Sequence, residues 1–106
     1  MNEITWSKKE KAVTRQAFEN AYKKECTELT NEIREMANQA NEPDDIWRLH
    51  DFITEKRRQI EDKYDYRYSI LILVFARLMK EGWIEVDDLE GLNEDKIAKI
   101  MYLAKM

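Results

Sequence analysis

Residues that break helices are almost absent from this chain. Its 106 residues include only two glycines and one proline. Because glycine and proline interrupt helices, this low content predicts long helices joined by short connections. The length allows one domain, or one small domain with an extension. We therefore predict an all-α chain in which residues 1–106 form a single domain.

Local signals define the first helix. Ser7 is followed three residues later by Glu10, a capping-box pattern that predicts a helix start. The helix should end near Asn41, because Pro43 lacks a backbone donor and pushes the preceding residue out of helical geometry. Between these ends, apolar residues recur at alternating steps of four and three, which is typical of a coiled-coil seam. The seam consists of Tyr22, Cys26, Leu29, Ile33, Met36 and Ala40.

The second helix is predicted to be unusually long. Asp44 or Asp45 can cap its start, and Gly82 can supply its C-terminal stop. A helix over residues 45–81 would be roughly 55 Å long, which is more than a chain of this size can cover. Part of it should therefore protrude. In an alternative interpretation, residues 70–75 form a buried strand, which their β-branched content permits.

The rest of the chain predicts a two-part shape. Residues 70–76 are apolar on all sides and should be enclosed, whereas the helix before them carries one apolar stripe among many charges. After a short acidic connection, Asn93 can cap a last helix over residues 94–105. We expect a slender stem, about residues 7–69, and a compact helical head, about residues 70–106.

One stretch of the predicted stem has more apolar surface than a one-sided helix needs. At about 100° per residue, one stripe contains most of its apolar groups, with His50 and Arg57 at the edge. Trp47 and Asp51 lie roughly a quarter turn further round. An indole has about 150–250 Å² to bury, so a second surface is favoured and we expect another chain to meet this one. The stripe includes Ile46, Leu49, Ile53, Ile60, Tyr64, Leu71 and Leu78.

Composition restricts the possible partners. A net charge of −4 disfavours nonspecific binding to nucleic acid or anionic membrane. A single cysteine cannot form an intrachain disulfide, which favours a reducing compartment. The first 25 residues are polar and charged, so no signal peptide is expected. The apolar run over residues 70–75 is far shorter than the ~20 residues that span a bilayer. We expect a soluble, cytosolic protein.

No pattern in the chain supports catalysis. His50 has no second histidine or cysteine pair at a metal-binding spacing, and no glycine-rich loop could hold a phosphate. We therefore expect no enzymatic activity, no cofactor and no metal. Lys56, Arg57 and Arg58 form a basic cluster in an acidic chain. It is either a solvated flank, with Glu55 paired to Arg58, or a docking site for an acidic patch on another protein.

The central segment closely resembles a known family. Residues 46–69 contain a Trp-x-Leu-His-Asp-Phe core, a Lys-Arg pair and a Lys-Tyr-Asp-x-Arg run. The apolar run that follows, an early Trp-Ser pair, and Asp95, Lys96, Lys99 and Ile100 fit as well. Together these features resemble the fluorescence recovery protein family of cyanobacteria, over nearly the whole chain and most densely over residues 46–81.

The resemblance implies a fold and a partner. It implies an all-α homodimer formed by a long-helix stem, which we expect to be antiparallel, with a compact helical head on each chain. It implies binding to the carboxy-terminal domain of the orange carotenoid protein, whose red form quenches phycobilisome fluorescence. The family accelerates the return of the red form to the orange form and promotes its release from the phycobilisome. It uses no cofactor and acts in the cytoplasm, near phycobilisomes at the cytosolic face of the thylakoid.

The resemblance also assigns residues. It places Trp47, His50, Asp51 and Arg57 at the dimer interface and in activity, and the apolar stripe adds Ile46 and Ile53 to that interface. A pair of His50 and Asp51 across the interface would make dimerisation sensitive to pH. In the head, Leu73 and Lys99 are the docking candidates, with leucine where the family would be expected to carry an aromatic residue. The alternative is a dimeric helical adaptor or transcription-associated regulator unrelated to photoprotection.

Overall fold

A computed structural model describes residues 4–106 of the chain. These residues form four α-helices: α1 (Lys8–Gln39), α2 (Pro43–Lys63), α3 (Leu71–Lys80) and α4 (Glu94–Ala104). A 3₁₀ turn, Val86–Leu89, precedes α4. The described residues contain no extended strand ladder, so the all-α prediction is confirmed and the alternative strand over residues 70–75 is wrong. The molecule is elongated, with extents of 55 × 27 × 26 Å.

The predicted capping signals operate at the helix ends. The Ser7 hydroxyl accepts from the backbone N–H of Glu10 at 3.1 Å, and the Glu10 carboxylate accepts from the N–H of Ser7 at 3.0 Å. At the next start, the N-cap residue is Glu42, so the predicted cap at Asp44 or Asp45 is wrong. Asp45, three residues on, contributes its carboxylate, which accepts from the backbone N–H groups of Asn41 and Glu42, each at 3.0 Å. Helix α1 ends at Gln39, two residues before the predicted end near Asn41. Helix α2 begins at Pro43, where the missing backbone donor has no cost because the first N–H groups of a helix have no partner within it.

The predicted continuous helix over residues 45–81 is wrong. Helix α2 ends at Lys63, so it is only about 30 Å long. Residues 64–70 are non-helical, and helix α3 starts at Leu71. No glycine or proline causes the break, so tertiary packing must supply the reason.

Three tyrosines supply that reason. Tyr64, Tyr66 and Tyr68 are two residues apart. This spacing places side chains on one side of an extended segment, whereas in a helix it would place them on different sides. Phe18 of α1 packs edge-on against Tyr64 and Tyr66, with ring centroids 5.3 and 4.9 Å apart. Tyr68 reaches Trp6, with centroids 6.0 Å apart. Contacts between aromatic rings thus override a weak helix propensity.

The hydrophobic core includes residues from outside the segment predicted to form the head, residues 70–106. Phe75, Leu78 and Ile100 are fully buried in it, as predicted for the apolar run and the last helix. Trp6, Ala17 and Ala21 belong to the same core, although all three precede the segment predicted to form the head. The amino-terminal half of α1 is therefore part of the head, and only its second half joins α2 in a narrow hairpin.

The hairpin formed by the second half of α1 and by α2 has little core of its own. The only buried residues of α2 are Ile60 and Lys63, both at its carboxyl end. Seam residues such as Leu29, Ile33 and Met36 are only half-buried. Two helices with so little enclosed surface gain little stability from packing against each other. The hairpin, which we call the stem, therefore retains apolar surface that a second protein could cover.

Candidate functional site

An exposed strip runs along α2. Ile46, His50, Ile53 and Arg57 follow one another at steps of four, three and four, which places them on one side of the helix. Ile46 is 56% exposed and Ile53 is 38% exposed, which is unusual for isoleucine. Trp47 is 61% exposed beside them. We call these residues, together with Asp51, the stem strip.

Trp47 is the largest apolar group of the stem strip. Its exposed part amounts to roughly 150 Å², which would contribute about 4 kcal/mol if it were covered. No side chain among residues 4–106 encloses it. The structure thus leaves uncovered the indole for which the sequence predicts a second surface.

His50 and Asp51 lie beside Trp47 on the same exposed face. The His50 Nδ1 and Asp51 Oδ1 atoms are 3.5 Å apart, at the long limit of a hydrogen bond, and both side chains are more than two-thirds exposed. This contact joins neighbours in one chain. A pair across an interface stays a prediction.

The arginines of the basic cluster differ in how fully they are paired. Arg58 donates to both oxygens of Glu55, at 3.2 and 2.5 Å, as predicted, and lies 3.8 Å from Asp62. Hydrogen bonds from Arg58 and Gln59 lower the pKa of Glu55. Arg57 donates only through Nε, to Glu61 at 2.8 Å, and is 80% exposed. Its terminal nitrogens have no protein acceptor within the described residues and can receive a carboxylate.

The two docking candidates of the head also reach solvent. Leu73 is 59% exposed, although its neighbours in α3 are buried. Lys99 on α4 lines a shallow cavity of about 290 Å³, whose wall also includes Ile4, Thr5 and Ile72. Tyr102, at 68% exposure, is a further exposed aromatic group that the sequence motifs do not indicate. It lies off the apolar face of α4, so helical periodicity could have identified it.

Two buried ionic clusters were missed altogether. Lys63 lies between Glu25 and Glu81, and Glu10 contacts Lys96 in α4. Their members are 18 to 86 residues apart in sequence, so no local pattern could pair them. Only the capping role of Glu10 was predicted.

Two kinds of site are not found in the described part of the chain. None of its helices is both long enough and apolar enough to cross a bilayer. No group of three or more His, Cys, Asp or Glu side chains over residues 4–106 is arranged to hold a metal ion.

Comparison with known proteins identifies the class. The family model described as "Photoprotection regulator fluorescence recovery protein" matches residues 6–104. The fluorescence recovery protein of Synechocystis sp. PCC 6803 is 40% identical over 104 residues, covering 98% of this chain and 95% of that protein. The fold is therefore that of a photoprotection regulator, a non-enzymatic class.

Solved structures agree with the family model. The structure of the Fremyella diplosiphon fluorescence recovery protein has a TM-score of 0.91 and 47% identity, covering 96% of this chain and 100% of that one. The structure of the Synechocystis protein has the same TM-score and coverage at 40% identity. The chain belongs to the fluorescence recovery protein family, as its central motif predicted.

Proposed function

We propose that this chain is a homodimeric regulator that binds the photoactivated orange carotenoid protein. It accelerates the return of the red form to the orange form and promotes detachment from the phycobilisome, at the cytosolic face of the thylakoid. The observation that carries the proposal is the stem strip, where Ile46, Trp47 and Ile53 are exposed beside the incompletely paired Arg57. Membership of a photoprotection regulator family supports the same conclusion.

The stem strip and the head have different roles in this proposal. Two stems cover each other's strips in an antiparallel dimer, which encloses Trp47 of both chains. The head, with Leu73 and Lys99, docks the carboxy-terminal domain of the carotenoid protein, and Arg57 contributes an ionic contact. An exposed leucine and an exposed lysine suit a partner that offers an apolar side chain and a carboxylate.

Acceleration requires unequal binding. A regulator with equal affinity for every state of its partner would change no rate, so the complex must favour the transition state over the red form. We propose that the bound dimer keeps the two separated domains of the photoreceptor near each other. A higher effective concentration speeds their re-association without any change in covalent bonds.

Arg57 provides the direct test of this function. In the Arg57→Leu variant, we expect the chain to accelerate dark recovery of photoconverted carotenoid protein about tenfold less, because a charge-assisted contact is lost. Recovery is followed by visible absorbance at matched dimer content. Arg58→Leu is the control, because Arg58 is already paired with Glu55 on its own helix.

The outcomes separate the alternatives. An unchanged rate for Arg57→Leu would remove that residue from the mechanism. If the unmodified chain leaves the recovery rate unchanged, the photoprotective proposal is wrong and a helical adaptor of another pathway is favoured. The second possibility shares the stem strip but predicts no effect on the carotenoid protein.

Trp47 tests the dimer separately. Trp47→Ala should raise the dimer dissociation constant at least tenfold, because a buried indole is a typical centre of binding energy. Sedimentation velocity across a micromolar concentration series measures this shift. Tyr102→Ala removes an equally exposed aromatic group from the head and should leave the dimer intact. A Trp47→Ala chain that is fully dimeric at low micromolar concentration contradicts the placement.

A further inference from the structure

Lys63 is a charged residue with almost no contact with solvent. Its side chain is 6% exposed and is the last of helix α2. The Nζ atom donates to Glu25 Oε2 of α1 and to Glu81 Oε1, just beyond α3, each at 2.6 Å. One ammonium group therefore joins α1, the end of α2 and the end of α3.

The two carboxylates around Lys63 are held from other sides as well. The hydroxyl of Tyr64 donates to Glu25 at 2.8 Å. Arg77 Nε donates to the second oxygen of Glu81 at 3.0 Å, and Trp83 Nε1 donates to the first at 3.1 Å. Burial opposes ionisation of Glu81, but the bonds from Lys63 and Arg77 outweigh it and lower the pKa of this carboxyl. All four carboxylate oxygens of the cluster thus accept a hydrogen bond.

A network of this kind adds more to geometry than to stability. Removing two carboxylates and an ammonium from water costs about as much as their attraction returns. Hydrogen bonds are nevertheless directional, whereas apolar contacts such as those of Ile60 allow sliding. The network therefore restricts how the helices that it joins can tilt.

The network lies where α2 meets the head, so it acts on the part of α2 that is anchored to the core. Ile60 and Lys63 are the only buried residues of α2, and both lie where the stem meets the head. Every α2 residue before Ile60 is half-buried or exposed. Residues 40–42 tie the outer end of α2 to α1, so the position of its carboxyl end against the head depends largely on Ile60 and Lys63.

We propose that the Glu25–Lys63–Glu81 cluster is a clasp that fixes the position of α2 relative to α1 and the head. Lys63 is accordingly a positioning residue. The clasp holds Arg57 at a set distance from Leu73 and Lys99, so that the carotenoid protein can contact Arg57 and the head at the same time. Its importance for activity rests on the proposed function, whereas the geometric part does not.

Distance measurements between spin labels test the clasp. One label is attached to a cysteine that replaces Gln59, four residues before Lys63, and the other to a cysteine that replaces Ala98 on α4. Both positions are exposed, and Cys26 is replaced by alanine. Dilution with unlabelled chain suppresses distances between protomers. In Lys63→Met, we expect the width of the distance distribution to at least double, because the directional bonds are lost while the length of the side chain is kept.

Two controls and one alternative variant make the result specific. A pair of labels at Ala12 and Ala98 lies within the head and should keep its width. Arg67→Met removes an exposed ion pair with Asp65 in the same junction and should leave the stem–head distance unchanged. The triple variant Lys63→Met/Glu25→Gln/Glu81→Gln leaves no unpaired buried charge, so it serves if the single variant does not fold.

The outcomes are separable from those of the proposed function. A wild-type width in either folded variant, Lys63→Met or the triple variant, overturns the clasp. A broadened distribution with normal acceleration of photoreceptor recovery keeps the geometric clasp but overturns the role of Lys63 in positioning. If the unmodified chain does not act on the photoreceptor at all, the proposed function fails while the distance result still decides the clasp.

Discussion

Replacing Phe75 with alanine is expected to lower the free energy of unfolding by about 4 kcal/mol. Phe75 is fully buried at the centre of the head core, and its loss leaves a cavity that the surrounding helices can fill only in part. Domains of this size have a stability of about 5–15 kcal/mol, so the variant should lose a large share of its stability. Urea denaturation followed by circular dichroism measures the change.

Leu73 is the matched control for Phe75. It lies two residues earlier in α3, but it is 59% exposed, so Leu73→Ala should change the free energy of unfolding by less than about 0.5 kcal/mol. Protein concentration must be held constant, because a dimer links stability to concentration. Equal losses in the two variants would mean that α3 does not present these opposite faces.

Local sequence signals predicted most helix ends. The box of Ser7 and Glu10, the Asn93 cap and the stop at Gly82 each depend on groups within a few residues of one another. Gly82 has a φ of 86°, which glycine adopts without strain, and the Asn93 side chain accepts from the N–H of Asp95 at 2.8 Å. Such interactions are nearly independent of the rest of the fold, and this is why they can be read from sequence.

The break after Lys63 could not be read in the same way. Nothing in residues 64–70 forbids a helix. The chain is extended there because its tyrosines pack on the aromatic surface of α1, about 46 residues earlier. That surface exists only when the chain has folded. The tyrosine spacing of two was nevertheless visible, and a period of two inside a helical pattern is a signal for an extended segment.

In the candidate site, too, the features that depend on neighbouring residues could be predicted, whereas those that depend on distant residues could not. The stem strip follows from helical periodicity, which is local, and the structure leaves Ile46, Trp47 and Ile53 exposed on α2. Its partner could be suggested only by resemblance to a family. The contacts of Lys63 and Glu10 depend on residues brought together from distant parts of the chain, so periodicity contains no information about them.

Glu10 is expected to be the most important single charge for stability. It is only 7% exposed, and its Oε1 atom accepts from Lys96 at 2.7 Å. Its Oε2 atom accepts from the backbone N–H of Asn93 at 2.9 Å, at the start of α4. One carboxylate thus caps α1 and fastens α4 to it. Glu10→Gln keeps the shape but removes the charge, and should cost about 2 kcal/mol at pH 7.

The pH dependence of that loss identifies its cause. Burial of Glu10 opposes ionisation, but the bonds from Lys96 and from the N–H groups of Ser7 and Asn93 outweigh it and lower its pKa from 4.5 to about 2. Since the folded state has the lower pKa, the stabilisation is complete above pH 4.5 and is lost as the pH falls towards 2. The difference between wild type and Glu10→Gln should therefore shrink over this interval.

Urea titrations at pH 7, 4.5, 3 and 2 measure the difference directly. Glu94→Gln makes the same change in charge at an exposed position in the first turn of α4, so it corrects for net charge and should cost less than about 0.5 kcal/mol. If Glu10→Gln is as destabilising at pH 2 as at pH 7, its effect comes from the geometry of the amide and not from the lost charge. A difference that closes with falling pH shows instead that the carboxylate acts through its charge, by attracting Lys96 and the backbone N–H groups of Ser7 and Asn93.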